Sequence, residues 1–371
     1  MDRCQSYRKN AMTYPDAMSM NRGRQLSPAI VLTVAAYSVL TVYGICVSLH
    51  SIDADTGTVA ATESLKVYRE AVAGLRDFPY QWRLLGVYLV YGIERVTGFD
   101  PHAIDIAVKS MLLSVSSTML FLFSRFDTSV AGALCAVGFY LLLTLVGFID
   151  QYSIYYTNDF VMIACWFGAV YFIRTEQYVA AASLAFVGAW AKETMLLAPV
   201  LIGLRWLRGR TSVTTVALAA AAFLLPTVVL RWLYRAPITE WAWWHMLFSN
   251  VPFLQTNMQD LAVTLKNNVK VALFFNLFRI LAARAALRTP EPFVKDLALT
   301  AVVYLLITYP VIYIRELRHF LPLAILVLPL AIAEIEQRAA SSAAPAHRAR
   351  PDAPCSNLPV ATEAGRSVQY R

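Results

Sequence analysis

RLLGVYLVYGIERVT, residues 83–97, is the stretch on which the fold turns. It is apolar but short, and it carries Arg83, Glu94 and Arg95. A hydrocarbon core needs about 20 predominantly apolar residues in a spanning helix, so a run of this kind reads as interfacial or re-entrant. The choice fixes the side on which every later loop lies. Apolar runs follow at 103–124, 128–149, 157–174, 178–191, 195–207, 212–230, 269–287, 296–314 and 319–335. With 83–97 at the interface, Arg125, Arg174, RWLRGR (205–210), RAALR (284–288) and the C-terminal tail all fall on the cytoplasmic side. That placement satisfies the positive-inside rule, whereas a crossing at 83–97 would export all of them. The sequence predicts an all-α polytopic bundle of about ten spans, an outer-face juxtamembrane helix at 83–97, and both termini in the cytoplasm.

Upstream, a basic tail (1–27) precedes a first span at 28–49. The chain is 58% hydrophobic and only 15% charged, against about 25% charged residues in an ordinary soluble domain. The deficit falls in long, non-alternating runs, which selects helices over a transmembrane barrel. The net charge of +8 is gathered in short loops and tails rather than on a basic face interleaved with aromatics, so nucleic acid is excluded as a partner. The five cysteines lie in apolar runs or in the tails, with neither disulfide nor zinc spacing.

The domain reading is a cytoplasmic tail (1–27), a transmembrane domain (28–335) with outer loops at about 50–102 and 231–268, and a disordered cytoplasmic tail (336–371). The runs 178–191 and 195–207 are short, and they flank Lys192, Glu193 and Thr194. They read as a tight hairpin with the charges at its tip, the alternative being one long helix with a buried Lys–Glu pair. No internal repeat is visible, which weighs against an inverted-repeat transporter.

The candidate functional residues gather on the expected outer face. IDAD places Asp53 and Asp55 just after the first span. Two carboxylates at this spacing can share a divalent cation, or one can act as a base while the other orients it; an acidic solvated loop is the plain alternative. Glu63 follows in the same stretch. Asp150 and Asp159 bracket a short loop, and Asp159 opens a helix, where a carboxylate also suits the macrodipole. Lys192, Arg231, Arg235, Arg315 and Arg318 are cations on the side where the orientation rule disfavours them. Arg315 and Arg318 share a helix face, and arginine suits bidentate phosphate recognition. His319 adjoins them, while His245 in WAWWHM reads as part of an aromatic belt.

The order of these features resembles the GT-C fold of polyprenyl-phosphate-dependent glycosyltransferases. FPYQWRLLGVYLVYGIERVTGFDP (78–101) is similar to that family's aromatic-Tyr-Arg-Leu segment and juxtamembrane helix. YSIYYTNDFVMIACW (152–166) is similar to its tyrosine-rich turn and following Asp, WAKET (190–194) to its Lys-bearing short hairpin, and ELRHFLPLAILVLPLAI (316–332) to its terminal Arg-aromatic-Leu-Pro segment. The resemblance covers roughly 28–335. It departs from the family at two places: a longer insert separates Asp53 and Asp55 from Tyr68, which makes Glu63 a rival, and His319-Phe320 stand where relatives often have Tyr.

The resemblance implies an inverting transferase that moves a sugar from a polyprenyl-phosphate donor to a glycan, lipid or protein acceptor at the extracytoplasmic face. Asp55 is the first candidate base, with Asp53 and Glu63 behind it. Arg83, Lys192, Arg231, Arg235, Arg315, Arg318 and His319 are the candidates for the phosphate and substrate, and Asp53 with Asp159 for a divalent Mg or Mn ion. Membrane lipids are the other expected partners, and the short loops favour a bacterial inner membrane. A transporter or flippase of a lipid-linked or anionic substrate, and a non-catalytic membrane subunit, are the competing readings.

Overall fold

Three residues after the juxtamembrane run set the geometry of the first helix pair. Gly98 takes a left-handed φ of 70° and its N–H closes the helix Leu85–Thr97 on the carbonyl of Glu94. Glycine meets no Cβ penalty there. Asp100 then caps the next helix, accepting from the Ala103 N–H at 3.0 Å, and Pro101 occupies the first helical turn. Both are the residues a helix start prefers.

The computed structural model describes residues 27–56, 60–73, 83–148, 154–233, 258–308 and 316–343. Among them there are thirteen α-helices and no strand. They are α1 (Pro28–Thr56), α2 (Ala60–Val72), α3 (Leu85–Thr97), α4 (Pro101–Ser124), α5 (Val130–Phe148), α6 (Thr157–Arg174), α7 (Tyr178–Ala189), α8 (Leu197–Leu207), α9 (Val213–Leu233), α10 (Met258–Phe274), α11 (Asn276–Arg288), α12 (Pro292–Thr308) and α13 (Ala324–Ala343). Short 3₁₀ turns cover Ile154–Tyr156, Glu193–Leu196 and Leu317–Leu323.

Among the described residues, five helical stretches are long and apolar enough to cross a membrane: Pro28–Val47, Pro101–Ser124, Val130–Phe148, Val213–Leu230 and Leu317–Ser342. This is the architecture of a helical membrane protein. The other expected runs form shorter or more polar helices, of 18 residues in α6, 12 in α7, 11 in α8 and 17 in α12.

α6 is the hub. Thr157 to Val170 are buried without a gap, so it has no solvent face. A helix buried on all sides is apolar all round and needs no amphipathic stripe. It packs against α3, α4, α7 and α8. α11 lies along α13, α9 along α7, and α1 along α4. A second, smaller apolar cluster (Tyr68, Ala71, Val87, Val90, Ile104, Val108 and Ile154) joins α2 and α3 to the start of α4. Tyr68 donates to Glu94 at 2.6 Å, and Arg69 reaches the same carboxylate at 2.7 Å, which ties α2 to α3.

The structure corrects four boundaries. α1 runs on to Thr56, so Asp53 and Asp55 lie in its last turns rather than in a loop. Nothing in SIDADT breaks a helix before Gly57. The expected single span at 269–287 is divided at Phe275 into α10 and α11. Asn276 has a φ of 44° there, a region that Asn enters more readily than most residues. α10 also starts at Met258, inside the stretch read as an outer loop. Finally, α13 continues to Ala343, so the C-terminal tail begins as helix because Gln, Arg and Ala favour one. The hairpin reading of 178–207 agrees with the structure, since α7 ends at Ala189 and the chain turns before α8.

Candidate functional site

Three consecutive residues at the start of α6 each address a different part of the molecule. Thr157 donates to Asp105 of α4, whose other oxygen accepts from Lys109 at 2.6 Å. Asn158 accepts from the Gly86 N–H at 2.8 Å and donates to the Arg83 carbonyl at 2.9 Å. Asp159 receives Lys192 from the α7–α8 hairpin at 2.5 Å and faces Arg318 Nε at 3.3 Å. The N-terminus of α6 thus joins α3, α4, the hairpin and the segment before α13.

Close approach makes this possible. A Cβ at Gly86 would lie 2.5 Å from the Asn158 backbone nitrogen, so only glycine lets α3 seat against α6. The N–H groups of Leu84 and Leu85, which no helix turn can satisfy, both donate to the Trp190 carbonyl at 3.2 Å. Arg83 then reaches Glu193, with its Nε 3.2 Å from the carboxylate.

The segment before α13 completes the cluster. Arg318 donates to Glu316 at 2.7 Å, and its guanidinium carbon sits 3.5 Å from the Tyr156 ring centroid. His319 Nδ1 lies 3.2 Å from Lys192 Nζ and its Nε2 lies 2.8 Å from Glu316. A lysine ammonium can only donate, so Nδ1 accepts and the ring proton sits on Nε2, where it donates to Glu316. Tyr304 of α12 donates to the His319 carbonyl, and Trp166 of α6 donates to the Pro322 carbonyl at 2.9 Å. These bonds fix the turn that carries Arg318 and His319.

Lys192, Arg318 and His319 are 3%, 6% and 8% exposed, which makes their donor inventory informative. Arg318 spends one nitrogen on Glu316, while its Nε and Nη1 have no hydrogen-bond partner among the described residues. Buried donors in this state are rare, and Nε meets Asp159 only as an ion pair at 3.3 Å. Burial lowers Lys192 below the usual lysine range, aided by Arg83 and opposed by Asp159. Burial pushes Glu316 up, but the His319 hydrogen bond and the Arg318 charge outweigh it and hold the carboxyl below its usual range.

The sequence candidates therefore divide. Arg83, Asp159, Lys192, Arg318 and His319 come together at one end of the bundle. The hairpin charges do not pair with each other at a solvated tip: Lys192 turns inward to Asp159, and Glu193 outward to Arg83. Asp53, Asp55 and Glu63 sit on α1 and α2, with side chains outside the described residues, as is that of Arg231 on α9. Asp150, Arg235, His245 and Arg315 lie outside the described residues altogether. As for a divalent ion, both oxygens of Asp159 already face cations, and no group of three His, Cys, Asp or Glu side chains converges among the described residues. Asp159 in this setting fits a cation poorly.

Sequence reasoning missed Thr157 and Asn158, whereas Glu316, readable as a balance to one of the neighbouring arginines, pairs with Arg318. Asp105 and Lys109, spaced to share a helix face at the edge of an apolar run, carried the signal for a buried pair.

The fold and this site define a helical membrane protein with a buried, partly unsatisfied ionic cluster at one end of its bundle. The chain matches no protein-family profile, no curated protein and no solved structure.

Proposed function

We propose that the chain is a membrane transferase that moves a sugar from a polyprenyl-phosphate donor to an acceptor at the extracytoplasmic face. The carrying observation is that Lys192 from the α7–α8 hairpin and Arg318 and His319 from the turn before α13 converge where Arg318 has two buried nitrogens without a hydrogen-bond partner among the described residues. Such a guanidinium suits the oxygens of a phosphate. In this reading the chain crosses the bilayer about ten times in a GT-C-like arrangement. α3 lies at the outer interface, both termini are cytoplasmic, and the membrane is a bacterial inner membrane.

The reaction is a single displacement. The acceptor hydroxyl attacks the anomeric carbon as the bond from that carbon to the phosphate oxygen breaks, and the configuration inverts. The hydroxyl proton passes to a carboxylate, with Asp55 first and Asp53 or Glu63 as alternatives, a contribution of about 10²- to 10⁴-fold. The polyprenyl phosphate departs as an anion whose growing charge Lys192 and Arg318 stabilise. No metal step is needed for this balance.

The test is transfer of radiolabelled sugar from a polyprenyl-phosphate donor by the reconstituted chain. Asp53→Asn and Asp55→Asn are each expected to be compared with wild type at equal folded protein, and one of them should lose at least about 10²-fold. Full activity in both would remove this carboxylate pair from the mechanism.

A second reading, a transporter of a lipid-linked or anionic substrate, has one observation in its favour. The α10–α11 break at Phe275 and Asn276 is the kind of interruption transporters use near a substrate. In the same vesicles, movement of labelled lipid across the bilayer without a new glycosidic bond would favour it.

A further inference from the structure

We infer that one face of α11 is a binding site for the headgroup of an anionic membrane phospholipid. The site lies apart from the Asp159 cluster and does not depend on the transferase reading.

The face is lined by Arg279, Ile280, Ala283, Arg284, Leu287 and Arg288, which border an open groove of about 670 Å³. Their spacing repeats every three to four residues, so they form a single stripe along the helix. The charge along this stripe is not balanced. Arg284 and Arg288 reach Glu334 of α13 at 3.1 and 3.6 Å, and Arg338 reaches it at 2.9 Å. All three contacts fall on one oxygen, Oε1, of a carboxylate that is itself buried. Arg279 makes no ion pair among the described residues. Three arginines thus share one carboxylate oxygen, and Arg279 adds a fourth positive charge to the same face. The next acid on α13, Glu336, is committed elsewhere: it accepts from the Ser129 N–H at 3.0 Å at the start of α5.

A guanidinium has five N–H donors, and one shared oxygen uses few of them. The side chains of Arg284, Arg288 and Arg338 are about half exposed, so their remaining donors are open to a ligand. The ligand that fits is a phosphate oxyanion, which accepts from forked arginines. Lipid rather than free phosphate is indicated by what flanks the arginines. Leu277, Ile280 and Leu287 on the same helix are 58%, 60% and 84% exposed. They offer acyl chains a contact that an inorganic ion cannot use. Basic side chains beside exposed apolar ones, at the end of a membrane bundle, match the two-part chemistry of an anionic phospholipid.

The experiment uses the full-length chain in neutral detergent, equilibrated with mixed phosphatidylcholine and phosphatidylglycerol, and then stripped of excess lipid. The retained lipid is quantified by mass spectrometry. Wild type is expected to retain phosphatidylglycerol in preference to phosphatidylcholine. Arg279→Gln, which breaks no ion pair, should lower that preference roughly fivefold, the value of one arginine near an anionic headgroup. Arg279→Lys should keep most of it. The combined Arg279→Gln, Arg284→Gln and Arg288→Gln variant should lose the preference. Equal retention of the two lipids by wild type overturns the site, as does full preference in Arg279→Gln. Displacement of the lipid by millimolar inorganic phosphate overturns the lipid assignment, because it would show that the apolar flank contributes nothing.

Discussion

Arg174 and Arg318 are equally buried arginines, with side chains 5% and 6% exposed, at the two ends of the same bundle. They use their donors in opposite ways. Arg174 makes two hydrogen bonds to Asp127, at 2.7 and 3.0 Å, and two to Glu291, at 3.1 and 2.9 Å. The rings of Phe123, Phe126 and Phe293 surround its guanidinium at 5.0, 4.4 and 5.6 Å from their centroids. Arg318 donates to Glu316 and faces Asp159 at 3.3 Å as an ion pair, while Nε and Nη1 have no hydrogen-bond partner among the described residues. Burial alone therefore says little about the purpose of a charge. An arginine held by two carboxylates joins elements together, whereas one with buried nitrogens lacking a hydrogen-bond partner is less fully bound by the protein around it.

The largest expected effect falls at the Arg174 end. Arg174→Met removes the only cation that Asp127 and Glu291 share among the described ion pairs, and leaves two carboxylates facing each other in a mostly buried setting. Breaking a buried pair from one side costs about 3–5 kcal/mol. Thermal unfolding in detergent should show that loss; a change under about 1 kcal/mol would mean the staple behaves like an exposed pair.

Arg318→Lys asks the converse question. Lysine keeps the charge and can still reach a carboxylate, but it lacks the planar fork. Stability should stay close to wild type, while transfer from a polyprenyl-phosphate donor should fall by about 10²-fold, the scale of one lost donor to a developing anion. If the variant instead melts like Arg174→Met with its turnover per folded molecule intact, Arg318 is a second staple and the contrast between the two ends disappears.

Much of the scaffold was legible in the sequence, because its signals are local. Gly98, Asp100 and Pro101 carry their own stop and start instructions. The hairpin at 190–196 followed from two apolar runs too short to continue as one helix. The site was only half legible. Lys192, Arg318 and His319 stood out as charges beside apolar runs, but their convergence on Asp159 is a tertiary fact that no spacing encodes. Thr157 and Asn158 were invisible for the same reason, since each is an ordinary polar residue until its partner on α4 or α3 is known. The break at Phe275 carries neither Gly nor Pro, so LFFNLFR reads as continuous helix. SIDADT misled in the other direction, because its polarity does not end α1, which runs on to Thr56.

The smallest expected effect is also the one that separates the two ends by sign. Glu291, beside Arg174, has its carboxyl raised above its usual 4.5, because burial and the neighbouring Asp127 charge outweigh Arg174. Glu316, beside Arg318, is held below 4.5, because the His319 hydrogen bond and the Arg318 charge outweigh burial. A carboxyl raised in the folded state binds its proton more tightly there than in the unfolded chain. Its contribution to stability therefore grows as pH falls from above its folded value towards 4.5. A depressed carboxyl behaves oppositely: its contribution is complete above 4.5 and is lost as pH falls from there through its folded value. Melting temperatures measured across this range should show Glu316→Gln flattening the acid loss below 4.5, with Glu291→Gln removing a gain that lies above it. If both variants shift the profile in the same direction, the two ends share one electrostatic character. The buried Arg318 nitrogens that lack a hydrogen-bond partner among the described residues would then have to be explained by shape alone.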